Sequence, residues 1–151
     1  IILNVQGDEP FIDKLSLKKL IDIFKNDHYK KIDLASLMQP IDKIKDVESS
    51  SNVKVVVDND NFALYFSRSI IPFNRLPNDK PNYYKHIGVY AFKKEALIYF
   101  YNSKPSTLEK FEKLEQLRFL ENGKKIKMVE TIYKGIGIDT MEDLINARKI
   151  I

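Results

Sequence analysis

The stretch that most restricts the fold is Val53-Lys54-Val55-Val56-Val57, the strongest β signal in the chain. Asp58-Asn59-Asp60-Asn61 follows with turn-forming residues, and Phe62-Ala63-Leu64-Tyr65-Phe66 runs back as a second strand. This is a β-hairpin, and it fixes at least one antiparallel pair in whatever sheet the chain builds.

The surroundings of the hairpin alternate strands with helices. Asp13 or Ser16 can cap a helix running to about Asn26, with Leu17, Leu20, Ile21 and Phe24 on its apolar face. Leu34-Ala35-Ser36-Leu37-Met38 reads as a short strand closed by Pro40, and 42–52 as a loop with at most one helical turn. A long loop carrying Pro72, Pro77 and Pro81 leads to a strand over Lys85–Phe92 and a helix from Lys94 to about Tyr101. The periodicity of Phe111, Leu114 and Leu117 predicts one continuous helix from Leu108 to Glu121, stopped at Gly123. A strand over Ile126–Ile132 follows, then a turn, a short strand and a helix N-terminus from Gly135 onward, where Thr140 and Asp143 resemble a capping box. The order implies an α/β domain, with the hairpin making the sheet mixed.

The chain opens on Ile1-Ile2-Leu3-Asn4-Val5, which reads as a strand buried on both faces, and breaks into Gln6-Gly7-Asp8-Glu9-Pro10. Ligands of α/β sheets sit beyond the carboxyl ends of strands, so Gln6 and Asp8 are expected at the rim of a site, with Gly7 allowing a close turn. Asp8 is open to two roles, a turn-forming side chain or a metal ligand; magnesium favours one or two carboxylates beside phosphates and water. Asp139 shares the ambiguity, and on local sequence capping of the last helix is favoured.

Other polar residues divide similarly. Arg68 and Arg75 suit a carboxylate or phosphate, with a surface ion pair as the plainer role, more so for Arg75. His86 has no Cys or second His at ligand spacing and reads as structural. Tyr90 fits a core ring or a hydroxyl donor, and Glu115-Gln116 a solvated helix face. Gly135-x-Gly lacks the rest of a dinucleotide fingerprint. The 25 basic and 21 acidic residues are scattered, which argues against a nucleic-acid stripe, and no apolar run reaches membrane-span length. With no cysteine, disulfide and thiolate chemistry is excluded, and a cytoplasmic setting suits the composition.

Five collinear stretches resemble one family. They are Asn4-Val5-Gln6-Gly7-Asp8-Glu9-Pro10, Ala63-Leu64-Tyr65-Phe66-Ser67-Arg68-Ser69-x-Ile71-Pro72, His86-Ile87-Gly88-Val89-Tyr90, Leu114-Glu115-Gln116-Leu117-Arg118-x-Leu120-Glu121-Asn122-Gly123 and Gly137-Ile138-Asp139-Thr140-x-Glu142-Asp143-Leu144. Together they are similar to the 3-deoxy-manno-octulosonate cytidylyltransferases, also called CMP-Kdo synthetases. The resemblance implies a Rossmann-like nucleotide-diphospho-sugar transferase fold and cytidylyl transfer from CTP to Kdo in lipopolysaccharide precursor synthesis, by a homodimer. It implies Mg²⁺ on Asp8 and Asp139, and a sugar pocket lined by Gln6, Arg68, His86, Tyr90, Glu115 and Gln116. Activation of sialic acid or an amino-Kdo analogue, or a non-catalytic fragment binding sugar or a partner chain, are the alternatives.

Family members carry a preceding half whose basic, Gly-bearing loop holds the CTP phosphates. Residues 1–151 are therefore expected to form the C-terminal portion of a single cytidylyltransferase domain. These residues alone should release no pyrophosphate from CTP and Kdo, whereas the protein with its preceding half should; turnover by the 151 residues would refute this.

Overall fold

A computed structural model describes residues 1–29, 31–76, 78–133, 138 and 141–149. The strands are β1 (Ile2–Val5), β2 (Leu34–Pro40), β3 (Lys54–Val57), β4 (Ala63–Ser67), β5 (Tyr84–Phe92) and β6 (Ile126–Glu130). The helices are α1 (Lys14–Lys25), α2 (Ile44–Glu48), α3 (Lys94–Asn102), α4 (Thr107–Glu112), α5 (Leu117–Glu121) and α6 (Met141–Ala147).

One six-stranded sheet runs β4-β3-β5-β2-β6, with β1 paired to β5. β2 and β6 are parallel and the other pairs antiparallel, so the sheet is mixed, as the hairpin required. Alternation splits β5 between two cores. Tyr90 and Phe92 face Leu34, Met38, Phe66, Leu114, Leu117 and Phe119 on one side. Ile87, Val89 and Ala91 face Leu20, Ala35 and Leu37 on the other, under α1. Helices thus cover both faces, and α1 starts where expected: the Asp13 carboxylate caps it by accepting from the Ser16 N–H at 2.9 Å.

Two expectations are corrected. The strand buried on both faces is β2, whose residues Leu34 to Met38 are all buried; in β1, Ile2 and Val5 are 39% and 41% exposed. β1 has β5 on one side and no strand on the other among the described residues, so apolar composition alone did not reveal its place.

Gly7 does lie in the expected turn, where the Glu9 N–H donates to the Gln6 carbonyl at 3.1 Å, but the glycine under close approach is another. A Cβ on Gly7 would meet nothing within 4 Å, whereas one on Gly88 would stand 2.7 Å from Gln6 Oε1.

The continuous helix over 108–121 is the second correction, because it breaks at Lys113, which adopts φ 57° and ψ 47°. Leu114, Gln116, Leu117 and Phe119 are all buried while Phe111 is 83% exposed. At 100° per residue, those four positions would spread over about 220° of one helix, wider than a single apolar stripe. The left-handed residue turns the chain, and α5 restarts on a new axis. Glu109, carried on α4, pairs with Arg118 of α5 through bonds of 2.6 and 2.8 Å and holds the two helices together across the break.

A left-handed residue with a side chain is strained by about 1 kcal/mol or more. Lys113→Gly should therefore leave stability unchanged or raise it by up to about 1 kcal/mol, and Lys113→Val should lower it by about 1–2 kcal/mol. The shift of the urea midpoint would check both.

Candidate active site

The helix break, the end of β1 and one face of β5 surround a cavity of about 470 Å³. Gln6, Asp8, Arg68, His86, Tyr90, Glu115 and Gln116 all line it, although they come from four separated parts of the chain. Arg75 is exposed on the proline-bearing loop and does not line this cavity. Asp139 and Thr140 lie outside the described residues, as does the short strand expected near Gly135.

The floor is a hydrogen-bond chain with a definite direction. β5 has two more residues than β2 between the pairs Ser36↔Tyr90 and Leu37↔Ile87, so the ladder is interrupted there. Ser36 Oγ repairs the interruption by donating towards the carbonyls of Val89 at 2.9 Å and Ile87 at 3.2 Å. Its one proton being so engaged, Ser36 Oγ accepts from His86 Nε2–H at 2.8 Å. His86 Nδ1 is then the acceptor of a hydrogen bond donated by the Gln116 Nε2–H at 3.3 Å. That orients the Gln116 amide so that its Oε1 faces the Tyr90 hydroxyl at 3.3 Å.

Tyr90 donates most closely to Glu115 Oε1 at 3.0 Å, and Gln6 Nε2 reaches the same oxygen at 3.3 Å. Burial, reinforced by the Glu115 carboxylate, keeps the Tyr90 hydroxyl protonated well above the usual phenol range. Burial pushes the His86 pKa down to about 3, and Phe66 packs edge-on against its ring at 5.0 Å. His86 is thus a neutral spacer that fixes Gln116. The solvated role expected for Glu115 and Gln116 is overturned: Gln116 is 2% exposed and both face β5.

The basic side of the cavity rests on a lysine that the sequence reading passed over. Lys54 is 0% exposed, and its ammonium donates to the carbonyls of Ser49, Asn52 and Arg68 at 2.9, 2.7 and 2.5 Å. All three donors are spent on backbone, which ties the cavity-lining 49–52 loop to the end of β4. Burial, then the nearby Arg68, lowers its pKa. The available clue was a lysine inside a run of valines. Arg68 is fixed by bonds from Nε to the Glu112 carbonyl at 2.9 Å and from Nη1 to the Ser50 carbonyl at 3.0 Å. Its Nη2 makes no hydrogen bond among the described residues.

On the acidic side, Asp8 Oδ1 is buried with no hydrogen-bond partner. The Asp8 carbonyl accepts from the Ile138 N–H at 2.8 Å, which brings the residue before Asp139 against Asp8. An orphaned carboxylate oxygen fits a cation, although the described residues contain no group of three or more His, Cys, Asp or Glu arranged to hold one.

A family profile described as Cytidylyltransferase matches residues 1–126. The chain belongs to the cytidylyltransferase family. A 3-deoxy-manno-octulosonate cytidylyltransferase from Flavobacterium johnsoniae is 56% identical over the whole chain, which spans 62% of that relative. An 8-amino-3,8-dideoxy-manno-octulosonate cytidylyltransferase from Shewanella frigidimarina is 43% identical over 95% of the chain, which covers 58% of it. The structure of a CMP:2-keto-3-deoxy-manno-octonic acid synthetase complexed with CTP superposes with a TM-score of 0.89 at 36% identity, over 98% of this chain and 60% of that one. The fold is therefore the Rossmann-like nucleotidyltransferase fold that the sequence resemblance implied. The chain spans about three-fifths of the length of these cytidylyltransferases.

The neutral imidazole has a measurable consequence. Its pKa falls from 6.5 to about 3 on folding, so the unfolded chain binds the proton first as pH drops. Stability from this group is complete above pH 6.5 and is lost as pH falls towards 3, by at most about 1.4 kcal/mol per pH unit. His86→Gln should show a shallower loss across that window in thermal melts, and parallel pH profiles would contradict the assignment.

Proposed function

We propose that the cavity is the sugar-acid site of an enzyme that joins CTP and 3-deoxy-manno-octulosonate to give CMP-Kdo and pyrophosphate. The carrying observation is the polarity of the cavity. The lining presents the Arg68 guanidinium, whose Nη2 makes no hydrogen bond among the described residues, together with Glu115, Gln116, Gln6 and the Tyr90 hydroxyl, and the buried Lys54 ammonium bonds the Arg68 carbonyl. An acidic sugar matches both kinds of group. Its carboxylate pairs with Arg68, and its hydroxyls exchange hydrogen bonds with the carboxylate, amides and phenol of the lining. Family membership and the names of the relatives support the same substrate.

In the proposed reaction the anomeric hydroxyl attacks the α-phosphorus of CTP in line. The new O–P bond forms as the bond to pyrophosphate breaks, and the hydroxyl proton is released. Gln6, Glu115 and Gln116 orient the sugar, with Tyr90 and His86 holding the last two side chains in place. Asp8 would hold Mg²⁺, with Asp139 as its partner ligand; when bound, the ion supplies neutralisation of phosphate charge. The reading includes a homodimer in the cytoplasm. Among the described residues no helix is long and apolar enough to cross a membrane, and Phe73 and Leu76 on the proline-bearing loop are 81% and 62% exposed.

A second reading, activation of the 8-amino analogue, is favoured by the Shewanella relative. Pyrophosphate release with Kdo, its 8-amino analogue and sialic acid, measured on the intact protein, should rank Kdo first. Arg68→Ala should weaken sugar-acid binding by about 1.5–3 kcal/mol, the loss expected for a hydrogen-bonded charge. Asp8→Asn should shift the Mg²⁺ dependence of turnover to higher concentration; unchanged metal dependence would remove Asp8 from the metal.

A further inference from the structure

Gln6 reaches Glu115 with its side chain against β5, and the residue it passes there, Gly88, has no side chain. Val5 pairs with Val89, so Gln6 leaves β1 directly over Gly88. A Cβ on Gly88 would come within 2.7 Å of Gln6 Oε1, closer than a real Cβ tolerates, and 3.4 Å from its Cδ. The backbone does not itself ask for glycine there, since only Gly123 among the described glycines has a positive φ. Gly88 also falls in the interruption of the β5 ladder, between the cavity-lining side chains of His86 and Tyr90. The amide of Gln6 is orientable in one way only, because Glu115 Oε1 accepts and so must face Nε2.

We propose that Gly88 is a positioning residue for the sugar-acid site. Its missing side chain lets the Gln6 amide lie flat on β5, where Glu115 pins it. The proposal rests on the reading of the cavity as a sugar-acid site, and goes beyond it by naming the residue that sets one of its contacts. Alanine at this position displaces the far end of a flexible side chain and no backbone, so the fold should survive while Gln6 is pushed from its place.

The test is a double-mutant cycle on the intact protein with 3-deoxy-manno-octulosonate as probe. Gly88→Ala should weaken binding about tenfold, the scale of one hydrogen bond, with an unchanged thermal midpoint. In a Gln6→Ala background the same substitution should change affinity less than about twofold. An equal loss with and without Gln6, wild-type affinity in Gly88→Ala, or a lowered midpoint would overturn the proposal. The Gln6 side-chain amide resonance, assigned by its disappearance in Gln6→Ala, should move in Gly88→Ala without any ligand. If the wild-type protein fails to bind the sugar acid, the functional reading falls. The amide resonance still decides whether Gly88 places Gln6.

Discussion

The site depends on one hydroxyl. Ser36 lies in the most buried strand of the sheet, where a polar group is costly unless bonded, and it spends its proton on the carbonyls that the interrupted ladder leaves behind. Everything above it inherits a direction from that choice. His86 must donate downwards, Gln116 must donate to His86, and the Gln116 carbonyl must look towards Tyr90. A protonated imidazole would set one N–H against another at Gln116, so geometry and burial demand the same neutral ring. Rigid polar sites are commonly built this way, with each partner's orientation fixed by the one beneath it.

The helix break serves the same end. An uninterrupted helix would have been easier to form, and the 111, 114, 117 spacing favours it. The left-handed Lys113 lets Leu114 and Leu117 stay in the core while Glu115 and Gln116, between them, turn to the cavity. Glu112, just before the break, accepts from the Ser67 hydroxyl at 2.6 Å and the Arg68 N–H at 3.0 Å, so the end of α4 steadies the start of the basic wall. Local strain at one residue is offset by tertiary contacts on both sides of it.

Much of this was legible in the sequence, and the limits follow from range. The hairpin, the α1 cap, the stop at Gly123 and the strand of β5 are written in residues a few positions apart, and each appears where periodicity and turn chemistry place it. The status of β1 and β2 was not, because apolar runs do not state how many neighbours a strand has. The cavity lining was read through family resemblance; local pattern alone assigned Glu115 and Gln116 to solvent and His86 to structure. His86 is indeed bound into structure, but that structure is the site. Gly88 took its role only against Gln6, far off in sequence, and Lys54 took its own through main-chain carbonyls, of Ser49, Asn52 and Arg68, which side-chain patterns do not mark.

Lys54 also changes how the protein's charge should be understood. Of the 25 basic residues, this one presents no surface to solvent and has every N–H directed at main-chain oxygen. Counter-ions cannot approach it and amine-reactive reagents cannot reach it in the folded state. A labelling map of the lysines would leave a blank at position 54. The formal charge of +4 therefore includes one ammonium that a colliding molecule does not meet at the surface.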